Sequence, residues 1–167
     1  DRKLVATASQ GRRPTIVVWD PETMQTKQVI KGLHQRAVTC LAWSPDGRLL
    51  ASVGCDDDHT LAVHDWRDNV LLAKAKTSKR KVFDVAFGCL GERLVTVGVK
   101  HVGFWQLHRG GRHLKYEKGL IGHSGKLQAF LCAAWLDEAA VVGSGDGHLY
   151  VFEPKDGKPS RDLKVTK

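Results

Sequence analysis

Short stretches of alternating apolar and polar residues follow one another along the chain, and turn-forming residues separate them. Four of these stretches share one pattern: a small polar residue or histidine, then apolar alternation, then a ring-bearing residue. In chain order they read TIVVWD, TLAVHD, HVGFWQ and HLYVFE. Their ring positions recur at intervals of about 45 residues, which indicates a repeated structural unit. These positions are Trp19, His64, Trp105 and Phe152.

Two further series of apolar stretches precede the ring-bearing ones. The segments LVATAS, LLASVG, LVTVG and AVVGSG come directly before them, and AVTCLAW, VFDVAF and LCAAW come earlier still. Turn signals such as SPDG, with a proline that presets φ and a glycine that allows positive φ, separate these two series. Each unit therefore reads as several short antiparallel strands joined by tight turns.

A fourth series is polar and rich in lysine, as expected for an exposed outer strand. It covers residues 70–76, 112–118 and 161–167. No long stretch has a period of 3.6 residues, so helix is predicted to be minor. The sequence predicts an all-β fold, a WD40-type β-propeller with about four consecutive blades.

The blades are expected at residues 1–31, 32–77, 78–118 and 119–167, with the first blade lacking its inner strand. Propellers usually close with about 4–8 blades, and closure protects the edges of the sheets. The four blades are therefore expected to belong to a larger propeller that is incomplete in this chain.

The ring positions are interpreted as architectural. In a typical WD repeat a tryptophan ends the third strand, and its indole N–H joins a buried set of hydrogen bonds. His64 occupies this position and can still donate a hydrogen bond, whereas Phe152 cannot. Buried polar groups are nearly always paired, so His64 is predicted to be a packing residue and not a catalytic one.

No constellation of residues points to catalysis or metal binding. The four cysteines lack the CxxC spacing of zinc sites and are interpreted as reduced, packed thiols of a cytosolic protein. The CDDDH segment lacks EF-hand spacing and is interpreted as a turn whose last aspartate, Asp58, orders the loop amides. We expect no enzyme activity, no cofactor and no metal ion.

Several segments resemble the echinoderm microtubule-associated protein-like family. CDDDHTLAVHDW is similar to its Asp/Asn/Asp-His-x-Leu-x-Val-Trp-Asp-Trp stretch, and GVKHVGFW to its Gly-Lys-x-His-φ-x-Phe-Trp stretch. Three features depart from the family: His64 replaces tryptophan, GCLG replaces His-Pro, and the SQGRRP loop is short. They fit either a divergent member or a related ciliary WD protein. The resemblance implies the early blades of the first of two tandem propellers, and a role on microtubules.

The distribution of charge suggests a binding face independently of the resemblance. Net charge is +8. In a propeller, the loops that join second to third strands, and outer strands to the next inner strand, share one face, here called the first face. Its predicted loops carry ten cations and four carboxylates, whereas the loops of the opposite, second face carry five cations and ten carboxylates. The candidate partner-binding residues are Arg12, Arg13, Arg36, Lys79, Arg80, Lys81, Lys100 and Lys126.

Together with the charge distribution, the resemblance implies a non-catalytic structural protein that binds tubulin through one propeller face. It also implies a location on the cytoplasmic cytoskeleton, which includes the ciliary axoneme. Other ciliary or cytoskeletal proteins are further candidate partners. A general WD-repeat scaffold for protein complexes is the alternative. Nucleic acid is not favoured because the SQGRRP and TSKRK loops lack the aromatic residues on which bases stack. No apolar run reaches the ~18 residues of a membrane span.

Overall fold

The computed structural model of the chain describes residues 4–108, 110, 113–121, 126–155 and 158–160. These residues form strands, turns and bends, and none of them lies in a helix. The all-β prediction is therefore confirmed for the described part of the chain.

The described strands form four antiparallel sheets, each a meander in which neighbours along the chain pair with one another. Sheet one has three strands, β1 (Val5–Ala8), β2 (Ile16–Trp19) and β3 (Thr26–Ile30). Sheet two has four, β4 (Val38–Trp43), β5 (Leu49–Gly54), β6 (Leu61–Asp65) and β7 (Val70–Ala75). Sheet three comprises β8 (Val82–Phe87), β9 (Arg93–Gly98), β10 (His101–Leu107) and β11 (Leu114–Lys118). Sheet four comprises β12 (Phe130–Leu136), β13 (Ala139–Ser144), β14 (Leu149–Lys155) and β15 (Lys158–Ser160).

The position of a strand within its sheet follows from its composition. The middle strands β5 and β6 read LLASVG and LAVHD and are buried along almost their whole length. The outer strand β7 is exposed or half-buried except at Ala73, and β11 is exposed or half-buried throughout. Middle strands have a sheet neighbour on both sides and packed residues on both faces, so they tolerate apolar residues throughout.

The tight turn between the first and second strands depends on glycine in sheets two and three. Gly47 N donates to Ser44 O at 2.9 Å, and Gly47 has φ 67°. Gly91 N donates to Gly88 O in the equivalent turn of sheet three, at 2.9 Å and with φ 71°. An L residue with a side chain rarely adopts this left-handed conformation, so these turns favour glycine.

The core consists of three apolar clusters, one between each pair of successive sheets. Ile16 and Val18 of sheet one pack with Leu50 of sheet two, and the other two clusters join sheets two with three and three with four. The first strands β4, β8 and β12 lie side by side. Antiparallel meanders that pack face to face in chain order are the blades of a propeller, so the predicted fold is confirmed.

The outer strand predicted for sheet four can be compared with the structure only in part. The described strand β15 pairs with β14 at Lys158–Ser160. The outer strand predicted at 161–167 lies outside the described residues. The limits of the blades, including the missing inner strand of the first, stay predictions.

A candidate partner-binding face

The loops of the first face are joined to one another by backbone hydrogen bonds. At sheets one and two, Gly11 N donates to Arg36 O at 2.6 Å, and Cys55 N donates to Ala37 O at 2.9 Å. The loop after β3 is therefore held between the β1–β2 loop and the β5–β6 loop.

The same linkage continues through sheets three and four. The donor and acceptor pairs are Thr77 N with Asp58 O (3.1 Å), Val99 N with Lys81 O (2.9 Å), Lys100 N with Gln128 O (2.7 Å) and Gly145 N with Ala129 O (2.9 Å). Each pair joins a β–β turn within a sheet to a connection between sheets. The loops that carry the predicted cations thus form one hydrogen-bonded rim on one side of the molecule.

One glycine is required for the rim to form. A Cβ placed on Gly98, at the end of β9, would lie 2.1 Å from the backbone oxygen of Lys81. Real atoms do not approach this closely, and the obstacle is backbone, which cannot rotate away. Glycine at this position therefore lets Lys81 O reach the amide of Val99.

All eight candidate cations are exposed on this rim, but two of them are paired with carboxylates. Arg36 Nη1 lies 2.8 Å from Asp57 Oδ1, and Lys79 Nζ lies 3.0 Å from Asp58 Oδ1. Lys76, predicted to end the outer strand, lies one residue beyond β7, and its Nζ is 2.9 Å from Asp58 Oδ2. The positive charge around the β5–β6 turn is therefore largely neutralised.

The aspartate that orders this turn is Asp56. Its Oδ1 accepts hydrogen bonds from Asp58 N at 3.2 Å, from Thr60 N at 3.0 Å and from Thr60 Oγ1 at 2.9 Å. The prediction that Asp58 orders the loop amides is wrong, because Asp56 has the i, i+2 spacing of an Asx turn. The side chain of Asp58 instead binds Lys76 and Lys79, whose hydrogen bonds lower the pKa of its carboxyl group.

The other six candidate cations have no carboxylate of the described residues within ion-pair distance. Two lie on the β1–β2 loop of sheet one and four lie at sheets three and four. These are Arg12, Arg13, Arg80, Lys81, Lys100 and Lys126. The first face therefore has a neutralised centre at sheet two, with free positive charge on either side.

Two rim cations have left-handed backbones, which non-glycine residues seldom adopt. Arg36 has φ 70° and Lys100 has φ 53°. Both are held by the rim, since Arg36 O accepts from Gly11 N and Lys100 N donates to Gln128 O. Strained residues persist where the surroundings over-determine them, and they are frequent at binding sites.

The ring positions lie in the interior or at its edge. Trp105, Phe152 and His64 are each less than 5% exposed, whereas Trp19 is half-buried. His64 Nε2 lies 3.2 Å from Asn69 Oδ1, and burial lowers the pKa of His64, which favours the neutral ring. A neutral, enclosed imidazole with one side-chain partner is suited to packing.

Sheet three contains a buried hydrogen-bond set around one hydroxyl group. Trp105 Nε1 donates to Thr96 Oγ1 at 2.9 Å, and His101 Nε2 lies 2.9 Å from the same oxygen. Burial lowers the pKa of His101 to about 4. In sheet two the buried His34 pairs with Ser52 Oγ at 2.7 Å, and burial, followed by the charge of Lys74, lowers its pKa to about 4. The first set lies between the neighbouring strands β9 and β10, and the second joins the loop before β4 to β5.

Within the described ranges, no three histidine, cysteine or acidic side chains are grouped so that they could bind a metal ion. The four cysteines are free thiols, and burial raises the pKa of Cys40 to about 11. The prediction that they are packed is wrong for Cys89 and Cys132, which are exposed. The described part of the chain also contains no helix that could span a bilayer.

Comparison with known proteins agrees with this architecture. The family profile described as "Echinoderm microtubule-associated protein first beta-propeller" matches residues 1–166. The chain belongs to the echinoderm microtubule-associated protein family. The resemblance seen in CDDDHTLAVHDW and GVKHVGFW therefore reflects membership of the family, and the matching profile is that of its first propeller.

Individual relatives show the extent of the similarity. The chain is 32% identical to Echinoderm microtubule-associated protein-like 2 of Rattus norvegicus and to Echinoderm microtubule-associated protein-like 1 of Homo sapiens, over 90% of its length. It is also 32% identical to the Ciliary WD repeat-containing protein ctxp80 of Euplotoides octocarinatus, over 97% of its length. The matched regions are 24%, 19% and 23% of these three proteins, so the chain spans a quarter or less of each relative.

Proposed function

We propose that this propeller segment binds microtubules through its first face and that it acts by shape and charge, without catalysis. The observation that carries the proposal is the group formed by Arg80, Lys81, Lys100 and Lys126. These four cations have no carboxylate partner among the described residues, and they come from three loops of one hydrogen-bonded rim. Membership of a microtubule-associated family supports the same partner.

The physical basis of this binding is complementary charge. Tubulin has a strongly acidic surface and acidic tails, which suits a face with free positive charge. Each exposed ion pair contributes only about 0.2–1 kcal/mol, so binding needs many contacts at once. Salt shortens the range of such contacts to about 8 Å at physiological ionic strength, so affinity should fall as salt rises.

We further propose that the protein resides on the cytoplasmic cytoskeleton. The ciliary axoneme is a narrower location, supported by similarity to a protein named as a ciliary WD repeat-containing protein. Localisation of the tagged full-length protein in ciliated cells separates an axonemal pattern from a general microtubule pattern.

Co-sedimentation of the full-length protein with stabilised microtubules tests the proposal. The variant combines Arg80→Glu, Lys81→Glu and Lys100→Glu. Lys79 is left unchanged because it already pairs with Asp58. We expect the variant to bind about tenfold more weakly than the parent, and the parent to lose affinity between low and physiological salt.

The matched control makes the same change of net charge away from the first face. It combines Arg67→Glu and Arg93→Glu with Lys115→Glu, which lie on the second face, on β9 and on the outer strand β11. We expect this control to pellet like the parent. If the first-face variant also pellets like the parent, the first face is not the tubulin site, and the general scaffold alternative is favoured.

A further inference from the structure

The inner strands of sheets two, three and four share an irregularity at the same position. Their pairing register shifts between Val38 and Cys40, between Val82 and Asp84, and between Phe130 and Cys132. Each shift inserts one extra residue, which is the second residue of its strand. A β-bulge leaves the extra residue unpaired and redirects its side chain, and bulges are frequent next to binding sites. The extra residues are Thr39, Phe83 and Leu131.

All three extra residues are exposed, and two of them are apolar. Phe83 is 40% exposed and Leu131 is 51% exposed. Phe83 belongs to β8, which has β4 on one side and β12 on the other. Phe83 is therefore exposed although its sheet has a neighbouring sheet on each side, and we attribute this exposure to the bulge.

The three bulges lie at the first-face end of the strands, because each inner strand begins where a first-face loop ends. Phe83 is two residues beyond Lys81, whose carbonyl accepts from Val99 N on the rim. Leu131 is two residues beyond Ala129, whose carbonyl accepts from Gly145 N. The exposed apolar side chains thus lie directly beside the cationic loops.

Two contacts keep these features close together. Asp84 Oδ2 accepts from Ala133 N at 2.9 Å, so β8 and β12 are fixed side by side just beyond Phe83 and Leu131. Lys100 N donates to Gln128 O, which brings Lys100 next to Leu127, a residue 49% exposed. The first face therefore combines apolar side chains with free cations at sheets three and four.

We propose that this part of the first face binds an acidic segment of a partner protein that carries one aliphatic or aromatic side chain. That side chain packs on Phe83 and Leu131, while the carboxylates of the segment meet Lys81, Lys100 and the neighbouring cations. The inference rests on the proposed function, since it uses the same face, and it adds the chemistry that selects among acidic partners. Unpaired cations alone bind any acidic chain. A fixed apolar contact adds affinity only for segments that carry an apolar side chain at the matching position.

A protein segment is favoured over nucleic acid on the chemistry of the site. Proteins that bind single strands stack successive bases on several aromatic side chains along a basic groove. The apolar positions here are one phenylalanine and two leucines, Leu127 and Leu131. Aliphatic side chains suit an aliphatic or aromatic anchor of a peptide better than a series of bases.

Fluorescence anisotropy with labelled peptides tests the inference on the full-length protein. One peptide is a glutamate-rich segment with a single central phenylalanine, and the other replaces that residue with glycine. We expect the parent to bind the phenylalanine peptide at least fivefold more tightly than the glycine peptide. Equal affinities would overturn the proposal without recourse to any variant.

Variants then test whether Phe83 and Leu131 form the apolar contact, here called the anchor site. Phe83→Ala should abolish the preference for the phenylalanine peptide and leave the affinity for the glycine peptide unchanged, whereas Phe83→Leu should keep most of the preference. Leu90→Ala is the matched control, because Leu90 is 83% exposed in the β8–β9 turn of the second face. A preference that survives Phe83→Ala, or a dT oligonucleotide of equal length that binds more tightly than the phenylalanine peptide, contradicts the proposal.

The peptide assay and the co-sedimentation assay can distinguish failure of this inference from failure of the microtubule proposal. If the first-face charge reversal weakens co-sedimentation but the parent shows no peptide preference, microtubule binding stands and the anchor site falls. If the peptide preference depends on Phe83 but charge reversal leaves co-sedimentation unchanged, the anchor site stands and the partner is a different acidic protein.

Discussion

The carboxylate of Asp84 on β8 accepts a hydrogen bond from the backbone amide of Ala133 on β12, at 2.9 Å. Its second oxygen accepts from Val85 N at 2.8 Å. The bond joins two neighbouring sheets at their inner strands, as does a second hydrogen bond from Trp135 Nε1 to Ala86 O at 3.2 Å. One carboxylate therefore helps to hold sheet four against sheet three.

Replacing Asp84 with alanine should loosen this junction. The amide of Ala133 would lose its partner in a partly buried position, which costs about 1–3 kcal/mol. We expect faster amide exchange over β12, measured by mass spectrometry on the full-length protein. Asp84→Asn keeps one acceptor oxygen and should give an intermediate effect. Unchanged protection of β12 in the alanine variant would show that packing and the other hydrogen bonds hold the two sheets together without Asp84.

Thr96 should be essential for the buried hydrogen-bond set of sheet three. Thr96→Val keeps the shape of the side chain but leaves the indole N–H of Trp105 and Nε2 of His101 without their shared partner. We expect a loss of about 2–3 kcal/mol in the free energy of unfolding. Thr96→Ser retains the hydroxyl and should recover most of it. Denaturant titration followed by tryptophan fluorescence measures both, and equal stabilities of the valine and serine variants would contradict the role of the hydroxyl.

Stability should fall as the pH is lowered from about 6.5 towards 4. His34 and His101 have pKa values lowered by burial from the ordinary 6.5 to about 4, so the folded protein keeps them neutral. In this window the unfolded chain binds more protons than the folded one, and acidification therefore favours unfolding. At pH 5 each histidine is expected to lower the free energy of unfolding by about 2 kcal/mol relative to neutral pH.

Thermal unfolding at pH 7.5 and pH 5 measures this effect. His101→Asn removes one of the two groups and should reduce the difference between the two midpoints. Asp46 and Asp58 titrate below this window, because hydrogen bonds lower the pKa values of their carboxyl groups from 3.8. A difference between the midpoints that is the same in parent and variant would mean that His101 is not responsible.

Neutralising Asp57 should strengthen microtubule binding. Asp57 pairs with Arg36 at the surface, with side-chain exposures of 79% and 65%, so the pair contributes little to stability. Asp57→Asn removes a negative charge from the first face and frees Arg36 for a partner. We expect an affinity about two- to threefold higher at low salt, with the gain lost at high salt.

The control for this prediction is Asp68→Asn, which makes the same change of charge in the β6–β7 turn of the second face. It should leave co-sedimentation unchanged. An equal gain from both substitutions would show that net charge, and not the first face, governs binding.

Much of the fold could be predicted from the local pattern of apolar runs and turn residues. The segments VFDVAF and LLASVG form β8 and β5, because apolar runs of six residues between turn residues are too short for a typical helix and favour strands. The basic loops could also be assigned to one face, because antiparallel meanders send alternate connections to opposite ends. Lys81 and Lys100 thus lie on one rim, as their positions in the repeat imply.

The repeat pattern did not predict which cations of the first face form ion pairs. Arg36 and Lys79 looked equivalent to Arg80, yet the first two bind Asp57 and Asp58. The ordering aspartate was likewise misassigned, since Asp56, Asp57 and Asp58 are adjacent in sequence and only the backbone path decides which carboxylate turns inward. Spacing limits which groups can meet, but it does not determine side-chain direction in an irregular turn.

The sequence by itself determined the strands, their order in each blade and the segregation of charge between two faces, since period and turn chemistry act over a few residues. Only the tertiary structure decided which cations remain free, which histidines are kept neutral, and that Phe83 turns out of its strand beside them. These properties depend on distances between residues tens of positions apart. They arise only when neighbouring sheets pack and bring a loop of one within hydrogen-bond reach of the next.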